Sequence, residues 1–212
     1  MAEQKTVEIV KQAIQNSKAR KFKESVELSI NLKDIDLSIP KNRIEDDILL
    51  PKGRGKQVKI AIFGSGELAL KSKGVADLII QPNEIEEIAG DKKRAKALAG
   101  EYNFFIAEAP LMPTIGKRLG AIFAPRGKMP KPVPPNIDPK VLVANLRSTV
   151  RLRTKERRTC HIPVGTKDMP PEDLAENIDA AMKKLLGRLE KGKHNIASVY
   201  VKTTMGPAVR LL

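Results

Sequence analysis

The chain has 212 residues, enough for one large domain or two small ones, and 41% of them are hydrophobic, enough for a real core. Only 3% are aromatic and none is Trp, so aliphatic side chains are expected to fill that core. Lys and Arg outnumber Asp and Glu by 39 to 25, and a net charge of +14 draws polyanions without saying anything of the fold.

No apolar run reaches the roughly 18 residues that a bilayer span needs, and the first residues hold no apolar signal core. Cys160 is the single cysteine, which excludes an internal disulfide framework. The expectation is a soluble cytosolic protein in contact with nucleic acid, the commonest polyanion; an anionic membrane surface is the other partner that such a charge suits.

Val7, Val10 and Ile14 recur at helical spacing, so the chain opens with an amphipathic helix ending near Ala19. A cationic cluster, Lys18, Arg20, Lys21 and Lys23 around Phe22, leads into a clean strand. There Val26, Leu28, Ile30 and Leu32 face one way and Ser25, Glu27, Ser29 and Asn31 the other, the pattern of a sheet with one covered and one open face. The polar side reads either as solvated surface or as part of a binding platform. Residues 44–50 form a weaker strand with an acidic patch at Glu45, Asp46 and Asp47. Residues 51–56 supply Gly, Pro and cations with no apolar anchor, the texture of a linker or hinge.

Beyond it, strands alternate with helices: strand 58–63, a Gly64-Ser65-Gly66 turn, helix 67–72, strand 78–80, and a helical stretch 83–100 interrupted near Gly90. Strand 103–107, helix 110–119, a short strand 121–123 and helix 138–148 complete a mostly parallel, Rossmann-like sheet. The basic stretch 147–158 lacks helical periodicity and includes the return crossing. Pro170-Pro171-Glu172-Asp173 then starts a helix carrying Leu174, Ile178, Ala181, Leu185 and Leu189 on one face, and Gly192 with Lys191 and Lys193 suits its end. A strand from Ser198 follows. Ala197, Val199 and Val201 make its apolar face; Ser198, Lys202 and Thr204, with the amphipathic Tyr200, make the polar one.

Met205-Gly206-Pro207 ends that strand, either as an ordinary turn or as a surface on which Gly206 admits a partner's backbone. Residues 208–211 add a short last strand. The fold class is therefore α/β, with two domains: a split α/β domain of residues 1–53 and 150–212, and an inserted Rossmann-like domain of residues 56–149. The polar faces of the first and last long strands would lie side by side as one platform.

Gly64-Ser65-Gly66-Glu67-Leu68-Ala69 matches the G-x-G-x-x-A fingerprint, with Glu84 and Glu86 at about the spacing of its acid, so a dinucleotide-dependent enzyme is the alternative reading. The following helix is short, however, and no catalytic group for hydride chemistry accompanies it. Gly66 with Lys71-Ser72 lacks the glycine that a P-loop places before its lysine. Cys160 and His161 are neighbours that would point apart on a strand, and with His194 they give no metal-ligand spacing. Neither a cofactor nor a metal is expected. The proline-rich loop 124–136, with Arg126, Lys128 and Lys131, reads as a stiff phosphate-contacting arm or as a solvated loop.

Thr203-Thr204-Met205-Gly206-Pro207, Ile115-Gly116-Lys117-Arg118-Leu119-Gly120 running into Pro125-Arg126-Gly127-Lys128-Met129-Pro130, and His161-Ile162-Pro163-Val164-Gly165 resemble the L1 family of large-subunit ribosomal proteins, archaeal type, over essentially the whole chain. The resemblance implies a split first domain, an inserted second one and a two-strand hinge. It implies a protein, monomeric when free, on the mobile stalk beside the ribosomal exit site, where it binds large-subunit rRNA, assists release of deacylated tRNA and represses its own messenger.

Family RNA contacts carry over to Phe22, Ser25 and Glu27, and to Ser198, Thr204, Met205 and Gly206. Lys21, Lys167, Lys202 and Thr203 complete the candidate RNA-binding set; Arg126, Lys128 and Lys131 are secondary contacts. The stretch with Lys52, Arg54 and Lys56 departs from the family pattern and leaves the hinge position open by a few residues.

Overall fold

The computed structural model describes residues 4–134, 138–154 and 156–212. Pro135 and Asn136 of the proline-rich loop and Lys155 of the basic stretch lie outside the described residues. In chain order the elements are α1 (Gln4–Gln15), β1 (Ser25–Leu32), β2 (Glu45–Leu49), β3 (Ile60–Phe63), α2 (Gly66–Ser72), β4 (Leu78–Ile80), α3 (Pro82–Gly90), α4 (Lys92–Glu101), β5 (Phe104–Glu108), α5 (Met112–Phe123), β6 (Lys131–Val133), α6 (Pro139–Arg147), β7 (Thr149–Arg153), β8 (Thr159–Thr166), α7 (Pro171–Leu186), β9 (Ile196–Thr203) and β10 (Val209–Arg210). The chain divides into two compact units, Met1–Lys56 with Ser148–Leu212, and Gln57–Arg147. Residues 54–56 and 148–149 therefore group with the first unit, a few residues from the expected breaks.

In the first unit an antiparallel sheet runs β10-β9-β1-β8. Alternation along β1 sends Val26, Leu28, Ile30 and Leu32 inward, where α1 and α7 cover them. Helix α7 contributes Leu174, Ile178, Ala181 and Leu185, all fully buried; the larger of these side chains stabilise by about 1.5–3 kcal/mol each. Leu189 is also buried but lies past the helix, which stops before Gly187. Helix α1 ends at Gln15 rather than near Ala19, and the Ser17 hydroxyl donates back to the Ile14 carbonyl at 2.7 Å. Strands β2 and β7 pair as a separate antiparallel ribbon. On it the acids of 45–47 meet the cations of the basic stretch: Arg151 on Asp47 at 3.3 Å and Arg153 on Glu45 at 3.6 Å.

Strand β8 was not among the expected elements. Its Cys160, Ile162 and Val164 are buried while His161 and Pro163 are not, a period of two that Pro163 obscures. Proline is tolerated because β8 is an edge strand and Pro163 sits at the register shift opposite Val26 and Glu27. Cys160 is 1% exposed, and burial pushes its thiol up to about 11. A thiol held there carries a thiolate fraction smaller than that of an ordinary cysteine, on the order of a hundredfold. Native protein at pH 8 should react with a thiol reagent at least that much more slowly than unfolded protein; comparable rates would contradict the burial.

The second unit is a parallel sheet of order β4-β3-β5-β6. Alternate strand residues feed two cores. Ala61, Phe63, Phe105 and Ala107 face α3, α4 and α5, while Ile60, Ile62, Phe104 and Ile106 face α2 and α6. The expectation of a strand at 121–123 is wrong. Ile115, Leu119 and Phe123 recur every four residues and are all fully buried, so those residues finish α5. The fourth strand is Lys131–Val133 instead, with Pro132 on the sheet edge.

An aliphatic core holds only for the first unit. Phe63, Phe104, Phe105, Phe123 and Tyr102 all belong to the second, where Phe105 and Phe123 stack at 4.7 Å. The first unit keeps Phe22, 53% exposed, and Tyr200, half-buried.

Candidate nucleic-acid interface

The side of the first unit's sheet away from α1 and α7 carries a polar ladder across three strands. Asn31 of β1 lies between Thr159 of β8 and Ser198 of β9. The Thr159 hydroxyl donates to Asn31 Oδ1 at 2.9 Å, and Asn31 Nδ2 donates to the Ser198 hydroxyl at 2.8 Å. One step on, Ser29 lies between His161 and Tyr200, with its hydroxyl 2.8 Å from His161 Nδ1. Glu27 follows between Pro163 and Lys202. Cross-linking by short side chains holds these groups in one arrangement before any partner arrives, which lowers the entropy cost of recognition.

At the far end of β1 three loops converge. Thr204 N–H donates to the Ser25 carbonyl at 3.0 Å, and the Thr204 hydroxyl accepts from Ser25 N–H at 3.1 Å. Met205 N–H donates to Glu24 Oε1 at 3.0 Å. Glu24 is only 3% exposed, and its carbonyl accepts from Lys167 N–H. The Lys167 ammonium turns inward, donating to the Ser17 hydroxyl and carbonyl. Lys56 Nζ donates to the Ser25 hydroxyl at 2.7 Å. The result is a pinned turn from which the Met205 side chain stands 60% exposed, on the same end as Phe22. Unburied apolar side chains beside a polar face suit stacking on sugars and bases.

The structure brings Ser25, Glu27, Ser198, Lys202 and Thr204 onto one face, half-buried, with Lys21, Phe22 and Met205 exposed at its end. Thr203 is a correction. It faces the core, fully buried, with no hydrogen-bond partner for its hydroxyl among the described residues, so its side chain is not on the platform surface. Gly206 also has an internal reason: a Cβ there would collide with Thr203 Oγ1 and lie 3.2 Å from Ser17 Cβ. Tyr200 lies on the face that its alternation predicts, opposite Ser29, whereas Glu24, Lys56, Thr159 and His161 were not among the expected residues. The alternation of β8 could have placed Thr159 and His161, whereas nothing local marks Glu24, which depends on a backbone N–H from 181 positions away.

Among the secondary contacts Lys128 is half-buried and turns its ammonium inward. Its ammonium donates to the Ala99 and Tyr102 carbonyls at 2.6 and 2.7 Å, closing the end of α4, and burial, helped by Arg126, lowers its pKa. Arg126 caps α5 through the Ile122 carbonyl, and Lys131 lies 5.9 Å from the Phe104 ring centroid.

At the Gly64-Ser65-Gly66 turn the place for a phosphate is taken. Glu108, 5% exposed, accepts from Ser65 N–H at 2.9 Å and from its hydroxyl at 2.8 Å. A carboxylate repels a pyrophosphate there. Nicotinamide and flavin dinucleotides should therefore leave the melting temperature unchanged; a saturable rise would contradict that.

An α/β chain with a one-sided, pre-bonded polar sheet has the build of a binding protein. Residues 12–207 match the Ribosomal protein L1p/L10e family. The chain is similar to the large ribosomal subunit protein uL1 of Methanocella arvoryzae, 54% identical over 213 residues and covering all of both chains. It is also similar to the uL1 proteins of Thermoplasma volcanium, 54% identical over 98% of this chain and 94% of that one, and of Methanothermobacter thermautotrophicus, 46% identical over 99% and 100%. The chain thus belongs to the ribosomal protein L1 family, with relatives of archaeal type. It is a ribosomal protein, not an enzyme.

Proposed function

We propose that the open face of β8, β1 and β9 is a rigid surface for structured RNA, and that the chain uses it to hold large-subunit rRNA in the mobile stalk near the exit site. The observation that carries this reading is the pinned end of the platform. There Glu24 and Ser25 fix Thr204 and Met205, leaving Met205 and Phe22 exposed beside a row of hydroxyls, amides and one carboxylate. Hydroxyls and amides hydrogen-bond ribose 2′-OH groups and unstacked base edges, the features that distinguish RNA. Glu27 in a phosphate-rich interface is repelled unless it accepts from a base amine or a 2′-OH. Lys21, Lys202 and the net charge of +14 attract RNA from a distance. The finer roles follow from the family resemblance: the same face takes a similar fold in the chain's own messenger, and the stalk position assists release of deacylated tRNA. Arg126 and Lys131 add weaker contacts.

The test is binding to a structured stalk-rRNA fragment and to a plain duplex of equal length, across salt concentrations. Simple charge neutralisation weakens both along one slope, about −0.7 to −0.9 per phosphate. The platform reading expects a large preference for the stalk fragment that persists at high salt, and competition from the leader of the chain's own messenger. Loss of both RNAs along a common slope would overturn it.

A further inference from the structure

Of the three cations between Pro51 and Gln57, two have partners. Lys52 sits against Asp173 and Glu176 of α7 at 3.3 and 3.6 Å, and Lys56 reaches the Ser25 hydroxyl. Arg54 is different. It is half-buried and, among the described residues, makes no ion pair and no side-chain hydrogen bond. A partly desolvated guanidinium without an acid is unusual, because burial costs a charge its hydration and only a partner restores the balance. Burial alone lowers the pKa of Arg54, with no neighbouring carboxylate acting against it.

The backbone that carries Arg54 is held, not loose. Lys52 N–H donates to Asn177 Oδ1 at 3.0 Å, and Asn177 Nδ2 donates to the Gly53 carbonyl at 2.9 Å. Gly53 N–H closes a turn on the Leu50 carbonyl. On the other side Gly55, at φ +65°, is pressed so closely on Thr166 and Met169 that a Cβ would strike both. The backbone at Arg54 is thus fixed from both flanks, two residues from Lys56, whose ammonium reaches Ser25 at the end of the platform. An unpaired, five-donor fork on a backbone pinned there matches one chemistry best, a phosphate held by two parallel hydrogen bonds.

We infer that Arg54 is a phosphate-binding residue of the RNA interface, carried on the segment after β2 so that this segment is part of the platform and not only a tether. The inference rests on the proposed function of the platform. It goes further in assigning a specific anion contact to a segment that the sequence marks only as basic.

The experiment compares full-length protein with Arg54→Gln and Arg54→Lys, measuring affinity for the stalk fragment and for the duplex over a salt series, and the melting temperature of each free protein. Arg54→Gln should bind the stalk fragment about tenfold more weakly, with a salt slope shallower by about 0.7–0.9, one phosphate contact. Arg54→Lys should keep the slope but not the full affinity. The melting temperature of Arg54→Gln should hold or rise, because an unpaired charge has left the interior edge; a merely structural arginine would lower it. An unchanged slope and affinity, or a lowered melting temperature without a change of slope, would overturn the inference. Failure of the wild type to prefer the stalk fragment would sink the platform reading instead, and the slope difference measured on either RNA would still decide Arg54.

Discussion

Replacing Asn177 by leucine is expected to destabilise the first unit by about 3 kcal/mol, although the two side chains share their branching and their number of heavy atoms. Asn177 is fully buried in α7, and its amide makes three bonds to backbone: from Lys52 N–H, to the Gly53 carbonyl, and to the Val164 carbonyl at 2.8 Å. Leucine fills the space and satisfies none of them. A backbone group left buried without a partner costs about 1–3 kcal/mol; Val164 is buried and carries most of the penalty, whereas water can reach Lys52 and Gly53 in part. Urea unfolding followed by circular dichroism measures the loss. A change below about 1 kcal/mol would mean that the amide is dispensable and that the segment after β2 is held in some other way.

The second large effect is expected at Gly206. The φ of this residue does not demand glycine, but the space does: a Cβ would run into the buried Thr203 hydroxyl and crowd Ser17. Gly206→Ala therefore displaces the turn that presents Thr204 and Met205, at the about 1–3 kcal/mol typical of overpacking, and RNA affinity should fall about tenfold. The double substitution Thr203→Ala with Gly206→Ala removes the colliding hydroxyl and should recover much of the loss, because residues that share one cavity couple. If Gly206 instead serves a close approach by the RNA backbone, the double variant will fold well and still bind poorly. Calorimetry on both variants separates the two.

The parts that the sequence announced are those whose period is local. Strand β1 alternates without interruption, and α7 keeps its leucines, isoleucine and alanine on one stripe, so periodicity alone places both. The errors have local causes as well. Residues 121–123 look like a strand in isolation, but their phase continues Ile115 and Leu119 and belongs to α5. Strand β8 hid behind Pro163, which a central strand would reject and this edge strand accepts.

For the site, parity predicted which way Ser25, Glu27, Ser198 and Lys202 face. It also gave Thr203 the opposite face from Thr204, so its place in the candidate set conflicted with the pattern itself. What parity could not give were the long-range bonds. Glu24 holding Met205, Lys167 turning to Ser17, and Lys128 closing the end of α4 are tertiary contacts between residues with unremarkable neighbours in sequence. Charge was misleading for the same reason. The acids at 45–47 and the basic stretch look like separate surface features, yet Arg151 and Arg153 of that stretch pair with Asp47 and Glu45, and Arg188, just past α7, pairs with Asp46.

The central claim is that RNA is read by the open sheet face and its pinned end, and hydroxyl-radical footprinting of the full-length chain, free and bound to the stalk fragment, tests it most directly. Met205 and Phe22 are 60% and 53% exposed, and both react readily when free. The account predicts that both become protected in the complex, while Leu70 and Val141 of the second unit, 64% and 65% exposed, keep their reactivity. A bound complex in which Met205 and Phe22 oxidise as fast as in the free protein would place the RNA elsewhere and contradict the account.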